Sequence, residues 1–483
     1  MQNKNQNQKM WMIKIFIFLS LFFFNFSLAQ NPKVKPPNIV FILVDDLGYG
    51  ECGFNGGKEI QTPQIDQLAK TGAILLNSYV QPVCSPTRAC LLTGRYPTRT
   101  GVYNIIKPGA TWGLPLNENT LANALKANGY QTAITGKWHL GEFEKAYQPN
   151  ARGFDQQYGH FFGSIDYYTH SRNDQLDWYR NGIPLKEEGY TTDLIAKEAC
   201  KIIETSDNSK PLFLYIPFNG IHAPYQVPEK YTKPYQLLKG NRQKLAGMLA
   251  AVDEAIGKII LAIEKAGIRD NTLIIFSSDN GAPPPGDNTP LRDFKATVYE
   301  GGIKSASFVN WPGHVPAGLS ITEPMHIVDW YPTLIHLAGG KINQPSTIDG
   351  KDVWPMITQN KKSPHDAILT VSTRGPVISA IGWRMIFVVQ APLLLGAALL
   401  AWNLLPQTTR SKNVKFDVKG SVTLGFGATL FLLAVNRGHS WGWTSPAILF
   451  FAVASLVSLW LFVRFERAAE APLMPLKWLR TPN

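Results

Sequence analysis

Short apolar runs, each followed at once by polar residues, recur between helical patterns from residue 38 to residue 372. Asn38–Val44 (NIVFILV) ends in Asp45 and Asp46, and Thr272–Ser277 (TLIIFS) leads into Asp279-Asn280. Continuous apolar runs of this length are typical of strands buried on both faces. Their alternation with helices predicts a layered α/β fold with a mostly parallel central sheet between helices.

Two further predicted strands lead to basic and imidazole side chains. Leu212–Ile216 precedes His222, and Gln131–Thr135 precedes Lys137 and His139. The helical patterns between the strands lie at Pro63–Gly72, Thr120–Asn128, Asp193–Glu204 and Leu245–Ala266. In open α/β sheets ligands bind beyond the carboxyl ends of the strands, so we expect a functional site where these side chains meet.

The acidic part of this expected site consists of oxygen ligands. Asp45, Asp46, Asp279 and Asn280 suit a hard cation such as Ca²⁺ or Mg²⁺, and the sequence has no Cys/His cluster of zinc spacing. A single Asp-Asp pair is more often a helix cap or a turn. Two polar pairs, each closing a buried strand, predict a divalent metal site.

Cys84 begins the segment CSPTRACLLTGR, in which Pro86 and the apolar spacing predict a helix. Backbone N–H groups at a helix N-terminus favour an anion, and Arg88 lies one turn further along. Taken alone, these residues favour a disulfide, for which the chain offers Cys52, Cys90 and Cys200 as partners of Cys84.

Cys-x-Pro-x-Arg with a downstream Leu-Thr-Gly-Arg resembles the signature of type I sulfatases. In that family a formylglycine-generating enzyme oxidises the cysteine to formylglycine. The resemblance covers residues 38–372 and is strongest to the arylsulfatase B branch, the N-acetylgalactosamine-4-sulfatases. Further matching stretches are Val44–Gly48 (VDDLG), Gly136–Gly141 (GKWHLG), Arg152–Asp155 (RGFD), Ser278–Gly281 (SDNG), Glu300–Gly302 (EGG) and His326–Thr333 (HIVDWYPT).

The resemblance implies an alkaline-phosphatase-like fold and an arylsulfatase-type sulfuric ester hydrolase. The expected substrates are aryl sulfates or sulfated sugars, with 4-sulfated N-acetylgalactosamine as one candidate. It also implies one Ca²⁺ ion, held by the formylglycine at position 84 together with Asp45, Asp46, Asp279 and Asn280.

Five further residues gain catalytic roles through the resemblance. Arg88 and Lys137 would stabilise the hydrated formylglycine, and His139 would act as a base on its hydroxyl. His222 and Lys295 would bind the sulfate oxygens and help to protonate the leaving alcohol. The stretch Asp166-Tyr167-Tyr168 resembles a segment that lines the substrate pocket in this branch.

A phosphatase or phosphodiesterase of the same fold is an alternative. Such enzymes use Ser or Thr and usually two zinc ions bound by Asp and His. The single oxygen-rich site and the Cys-Ser-Pro-Thr-Arg segment favour the sulfatase interpretation. An inactive, truncated or chimeric sulfatase tethered to a membrane is the second alternative.

Both ends of the chain are strongly apolar. Residues 10–29 (MWMIKIFIFLSLFFFNFSLA) follow Lys4 and Lys9 and end in small residues, which is typical of a secretory signal peptide. A permanent N-terminal anchor is the alternative, and either one predicts export to the periplasm, lumen or medium. The predicted organisation is a signal peptide (1–29), a catalytic domain (30–373) and a membrane segment (374–483).

The membrane segment contains three candidate spans, at residues 386–405, 420–435 and 447–463, each close to the ~20 residues that cross a bilayer. It resembles a fragment of a drug transporter of the major facilitator superfamily. Three spans cannot form a two-lobed transporter, so no transport is inferred. The sulfatase pattern stops before the usual C-terminal subdomain. The junction is interpreted as a chimera of cloning or assembly, with a natural fusion as the alternative.

The net charge of +12 does not indicate a nucleic-acid partner. Residues 374–483 carry 11 Lys and Arg against three Asp and Glu, and the first 30 residues add three lysines without an acid. The excess therefore lies in the hydrophobic ends, where basic residues usually set membrane topology.

Overall fold

A ten-stranded sheet forms the centre of the first of two units. The computed structural model describes residues 35–371, 417–441, 443 and 445–469, which divide between the units 1–390 and 391–483. The strands of the first unit are β1 (Asn38–Val44), β2 (Ala73–Leu75), β3 (Ser78–Tyr79), β4 (Gln131–Lys137), β5 (Gln156–His160), β6 (Ser171–Arg172), β7 (Gln175–Leu176), β8 (Tyr179–Arg180), β9 (Ile183–Pro184), β10 (Leu212–Phe218), β11 (Thr272–Ser278), β12 (Phe308–Asn310), β13 (Leu319–Ile321) and β14 (Met325–His326).

The strand order in the sheet is β13-β2-β12-β11-β1-β10-β4-β5-β8-β9. The five neighbouring strands from β11 to β5 are all parallel to one another, whereas β12 and β8 run antiparallel on either side of them. β1 lies in the middle, with Val40 opposite both Leu214 of β10 and Ile274 of β11. The sheet is therefore mixed and mostly parallel, as the sequence predicts.

Helices cover both faces of this sheet. They are α1 (Pro63–Lys70), α2 (Cys84–Thr93), α3 (Pro97–Thr100), α4 (Leu121–Ala127), α5 (Thr191–Thr205), α6 (Glu229–Thr232), α7 (Gly240–Lys265), α8 (Glu300–Ile303), α9 (Trp330–Leu337) and α10 (Trp354–Gln359). Successive side chains of a strand point to opposite faces. Ile39, Phe41 and Leu43 accordingly join one core with α2, α4 and α9. Val40, Ile42 and Val44 join the other core with α1, α5 and α7.

The four strands and four helices predicted from sequence are confirmed, with shifts at their ends. β4 continues to Lys137, two residues beyond the predicted strand. α7 begins at Gly240 rather than at Leu245. The extra turn has the sequence GNRQK, whose residues are exposed or half-buried. It therefore lacks the apolar periodicity that predicts a helix.

The described residues of the second unit form two helices, α11 (Val418–Trp441) and α12 (Pro446–Ala468). Both are long and apolar enough to cross a membrane by length and composition. Ser455 and Ser458 of α12 donate to the carbonyl oxygens of Gly427 (2.8 Å) and Thr423 (2.9 Å) of α11, so the helices run antiparallel. The predicted spans at 420–435 and 447–463 fall within these helices. The span at 386–405, the signal peptide and the junction near residue 374 lie outside the described residues.

Candidate active site

The carboxyl ends of four central strands bring the predicted polar residues together at one edge of the sheet. Asp45 and Asp46 follow β1, Lys137 ends β4, His222 follows β10, and Asp279 and Asn280 follow β11. All of these residues are buried except His222, whose side chain is 22% exposed. Reciprocal bonds, from Asp45 N to Gly220 O and from Ile221 N to Asp45 O, join the ends of β1 and β10. The predicted convergence is thus present.

Two fully buried cations hold the first part of the cluster. Lys137 pairs with Asp45. Arg88 Nη2 lies 2.8 Å from Asp279 Oδ2 and 3.6 Å from Asp45 Oδ2, and its Nη1 donates to Lys137 O at 3.0 Å. Burial alone would raise the pKa of Asp45, but Lys137, His222 and Arg88 together hold it below its usual value. Asp45 is therefore a carboxylate, and Arg88 cross-links the ends of three strands.

Asp46 organises the second part of the cluster. Its Oδ1 lies 2.5 Å from Lys295 Nζ and accepts from Asn280 Nδ2 at 2.7 Å, and its Oδ2 lies 3.6 Å from His222 Nε2. Burial would raise the pKa of Asp46, but Lys295 and His222 hold it below its usual value. Asp46 has φ 61°, a left-handed backbone that only a few non-glycine residues adopt. Lys295 and His222, predicted from motifs far apart in sequence, thus meet on one carboxylate.

Cys84 is the first residue of α2 and is buried. Its Sγ lies 3.6 Å from Asp45 Oδ1. All four cysteines are free, so the disulfide that the sequence allowed is absent. Burial raises the pKa of the Cys84 thiol to about 12, although Lys137 and Lys295 oppose the shift. The thiol is therefore protonated at neutral pH and is a poor nucleophile in its unmodified form.

The donors at this edge fit a divalent cation. One ligand atom each from Asp45, Asp46, Cys84 and His222 lie within 4.8 Å of one another. Asn280 Oδ1 is buried and has no hydrogen-bond partner among the described residues. A buried carbonyl oxygen without a partner is costly unless a donor or a cation completes it. Carboxylate and amide oxygens are the ligands that Ca²⁺ prefers.

His139 follows β4 with φ 58° and is 5% exposed. Its Nε2 lies 3.0 Å from the carbonyl oxygen of Ile106, and its Nδ1 has no partner among the described residues. Burial, Lys137 and Arg88 lower the pKa of His139 well below its usual value, so the ring is neutral. Because a carbonyl oxygen only accepts, Nε2 carries the proton and Nδ1 keeps its lone pair. His139 thus has the protonation state of a base.

A cavity of about 420 Å³ opens over Cys84, His139, His222 and Lys295. Its walls come from residues that sequence patterns did not single out, among them Lys107, Arg172 and Phe294. They lie in loops and in a two-residue strand, which carry no periodic signal. Tyr167, expected to line this pocket, is buried behind it instead, with its hydroxyl oxygen 2.7 Å from His222 O.

A mostly parallel sheet between helices, with buried carboxylates, cations and a cysteine below an open cavity, places the chain in the alkaline-phosphatase-like class of α/β folds. The family model described as Sulfatase matches residues 37–340, and the chain belongs to this family.

Individual relatives agree with this assignment. Mouse (Mus musculus) arylsulfatase J is 42% identical over 351 residues, which cover 69% of this chain and 58% of the relative. Human N-acetylgalactosamine-6-sulfatase is 33% identical, covering 68% of this chain and 67% of the relative. The solved structure of Ps i-CgsB with k-i-k-neocarrahexaose is 36% identical, with a TM-score of 0.67 and coverage of 70% of this chain and 80% of that one. The 4-sulfatase branch and the transporter-like tail stay predictions.

Proposed function

We propose that this chain is a sulfuric ester hydrolase whose nucleophile derives from Cys84. The observation that carries the proposal is the placement of Cys84. It lies buried at the first turn of α2, next to Asp45 and below a cavity that His139, His222 and Lys295 also line. An unmodified thiol with a pKa near 12 would serve poorly there, which favours conversion to formylglycine.

The resident groups of this site would be one Ca²⁺ ion and the formylglycine made from Cys84. Asp45, Asp46, Asp279 and Asn280 would hold the ion together with residue 84, and the unpartnered Asn280 Oδ1 supports this set. When present, the ion supplies positive charge near the sulfate oxygens and the formylglycine supplies a nucleophilic hydroxyl.

The residues around these groups would act through charge and proton transfer. Arg88 and Lys137 place fixed positive charge beside position 84, where it offsets the repulsion between an anionic ester and a nucleophile. His139 Nδ1 would accept the proton of the hydroxyl at position 84, because Ile106 keeps the other ring nitrogen protonated. His222 and Lys295, which line the cavity, would bind the sulfate oxygens and donate a proton to the leaving alcohol.

The proposed substrate is a sulfated sugar, with aryl sulfates as simpler surrogates. The relatives named above include an N-acetylgalactosamine-6-sulfatase and a protein solved with k-i-k-neocarrahexaose, which are both carbohydrate-directed by name. A 4-sulfated N-acetylgalactosamine is the specific candidate from the sequence. The proposed biology is an exported enzyme, which is matured by a formylglycine-generating enzyme and tethered to a membrane by the apolar segment 374–483.

Sulfate release from an aryl sulfate tests the proposal. The full chain is produced with a formylglycine-generating enzyme, and Cys84→Ala serves as the matched control. We expect Ca²⁺-dependent release by the parent and a loss of at least 10³-fold in Cys84→Ala, because removing a nucleophile leaves only residual catalysis. Release of phosphate from the matching aryl phosphate at an equal rate would favour the phosphatase alternative. No release, with formylglycine confirmed by peptide mass, would favour the inactive chimera.

A further inference from the structure

Two cationic side chains line the active-site cavity beyond the residues proposed to act on the sulfate. Lys107 and Arg172 both belong to its wall. Among the described residues that line the cavity there is no Asp or Glu. The wall is thus positively charged without a countercharge of its own.

The cations deeper in the site are already balanced. Lys137 pairs with Asp45 and Lys295 with Asp46. Arg88 pairs with Asp279. These three ion pairs leave no net charge among those six residues. Lys107 and Arg172 add two positive charges at the cavity, and the charge of Arg172 also acts on the buried Asp177, whose pKa it lowers against the effect of burial. Neither wall cation forms a close ion pair with a described carboxylate, and such a cation in a partly enclosed cleft attracts an anionic ligand group.

Both wall cations are held by segments that contact the same catalytic histidine. Arg172 Nη1 donates to Ser164 O at 3.1 Å and also binds the Ser164 hydroxyl. The preceding Gly163 packs so closely on His139 that a Cβ there would lie 2.5 Å from the ring. Arg172 is therefore positioned beside the reaction centre, and its guanidinium keeps further N–H groups for a ligand.

Lys107 is placed by its neighbour in the chain. The carbonyl oxygen of Ile106 bonds to His139 Nε2 at 3.0 Å, and Ile106 N donates to Ser85 Oγ at 3.1 Å. These bonds fix the backbone next to Lys107 between His139 and α2. Lys107 itself is exposed and free to reach a ligand in the cavity mouth.

Apart from Asn104 and Ser164, the rest of the wall is apolar and suits a sugar ring. Pro283, Pro284 and Phe294 line it, and Phe294 is 41% exposed. Ligand sites are usually lined by apolar surfaces, with a few polar groups that orient the ligand. A ring on this surface, with its scissile sulfate over Cys84, leaves its other substituents near the wall cations.

We propose that Arg172 and Lys107 form a second anion subsite, so that the preferred substrate is a sulfated sugar with a further anionic group on the same or the adjoining ring. This inference rests on the proposed sulfatase function. A second sulfate ester and a carboxylate share the chemistry that a guanidinium recognises in a bidentate manner. Arg172 is the main determinant because its position is fixed by Ser164.

Matched disaccharides test this subsite. Three substrates share the scissile sulfate and carry either no other anion, a second sulfate or a uronic carboxylate. We expect the parent enzyme to prefer one of the two dianionic sugars over the sugar without a second anion by about tenfold or more in kcat/KM. This factor corresponds to the free energy of one charge-assisted hydrogen bond. The sugar that is preferred identifies the anion. Arg172→Gln lowers this preference about tenfold, and Lys107→Gln lowers it less.

Arg292→Gln is the matched control, because Arg292 has a 68% exposed side chain and does not line the cavity. It keeps the preference of the parent. Equal kcat/KM for all three sugars, in an enzyme that cleaves an aryl sulfate, would overturn the subsite and leave the sulfatase function intact. No cleavage of any sulfate ester would contradict the sulfatase function instead.

Calorimetric binding to the Cys84→Ala protein gives a readout that needs no turnover. We expect the dianionic sugar to bind about tenfold more tightly than the monosulfated one, and Arg172→Gln in this background to remove that difference. Equal affinities for the two sugars would overturn the subsite, whatever the outcome of the rate measurements.

Discussion

His139 has the protonation state of a base because of what surrounds its ring. Burial and two neighbouring cations keep the imidazole neutral, and the carbonyl oxygen of Ile106 selects the tautomer. Gly163 makes this placement possible, since any side chain at that position would meet the ring. Gly163, which has no side chain, therefore determines where the proposed base nitrogen of His139 lies.

Gly163→Ala tests this dependence at the scale of one methyl group. The new Cβ would lie 2.5 Å from His139 Cε1 and Nε2, so the ring or the backbone at position 163 must shift, which disturbs the bond of the ring to Ile106 O. We expect kcat/KM for an aryl sulfate to fall about 100-fold, the usual cost of a displacement near 1 Å. Gly425→Ala is the control, because within 4 Å its added Cβ meets no atom of the described residues beyond its chain neighbours and the backbone of its own helix. An unchanged kcat/KM in Gly163→Ala would mean that the ring position does not limit the reaction.

At the scale of secondary-structure elements, α1 is capped by another helix. Thr62, at its N-cap, makes no side-chain cap bond. Asp253 of α7 caps the helix instead, because its carboxylate accepts hydrogen bonds from Ile65 N at 2.8 Å and Gln64 N at 3.2 Å. Burial raises the pKa of Asp253 to about 6, although both N–H groups oppose the shift. This cap therefore couples α1 to α7 and responds to pH.

Asp253→Ala removes both cap bonds. We expect a loss of about 1–2 kcal/mol in the free energy of unfolding at pH 7, measured by urea denaturation. The folded pKa lies above the model-compound value of 3.8, so the folded protein binds this proton more tightly and the parent gains stability as the pH falls through 6. The free energy of unfolding of the parent should therefore exceed that of the variant by more at pH 5 than at pH 7.

Glu254→Ala is the control, because this neighbour is 44% exposed and pairs on the surface with Lys258. Its cost should stay below about 0.5 kcal/mol. If the loss of unfolding free energy in Asp253→Ala became smaller towards pH 5, this would contradict the assigned direction of the pKa shift of Asp253.

The elements that sequence patterns predicted are those with long apolar periodicity. β1, β10 and β11 are continuous apolar runs, and each leads to polar residues that the structure brings to one edge. The contacts of Arg88 with Asp45 and Asp279 depend on the strand order instead, and no spacing along the chain reports it. Arg172 was not predicted either, because it lies in a two-residue strand, which is too short to show a periodic pattern, and only its side-chain bond to Ser164 places the guanidinium.

At the scale of the whole molecule, cation binding would be a stabilising force for the first unit. Three carboxylates from the ends of β1 and β11 are packed together, and burial with the nearby Asp45 charge raises the pKa of Asp279. A ligand that binds only the folded state stabilises it by mass action, by about 2.7 kcal/mol at 100 times its Kd.

Calcium should therefore raise the thermal midpoint of the full chain by a few degrees, measured by calorimetry against an EDTA-treated sample. Asn280→Ala, which removes the unpartnered Oδ1, should reduce this shift. Asn208→Ala, at an exposed surface position, is the control and should keep it. A midpoint that does not respond to calcium in the parent would contradict the proposed ion site.

The central position of β1 also has a consequence for the order of events during biosynthesis. Asn38 is joined to Leu212 and Thr272, which lie 174 and 234 residues further along the chain. β1 therefore cannot complete its pairing until β10 and β11 have been synthesised, and pairing across such separations is slow. Cys84 is synthesised early in this interval, and its burial in the folded chain depends on the completed sheet. The topology thus leaves a period in which the cysteine is accessible to a modifying enzyme, and folding closes it.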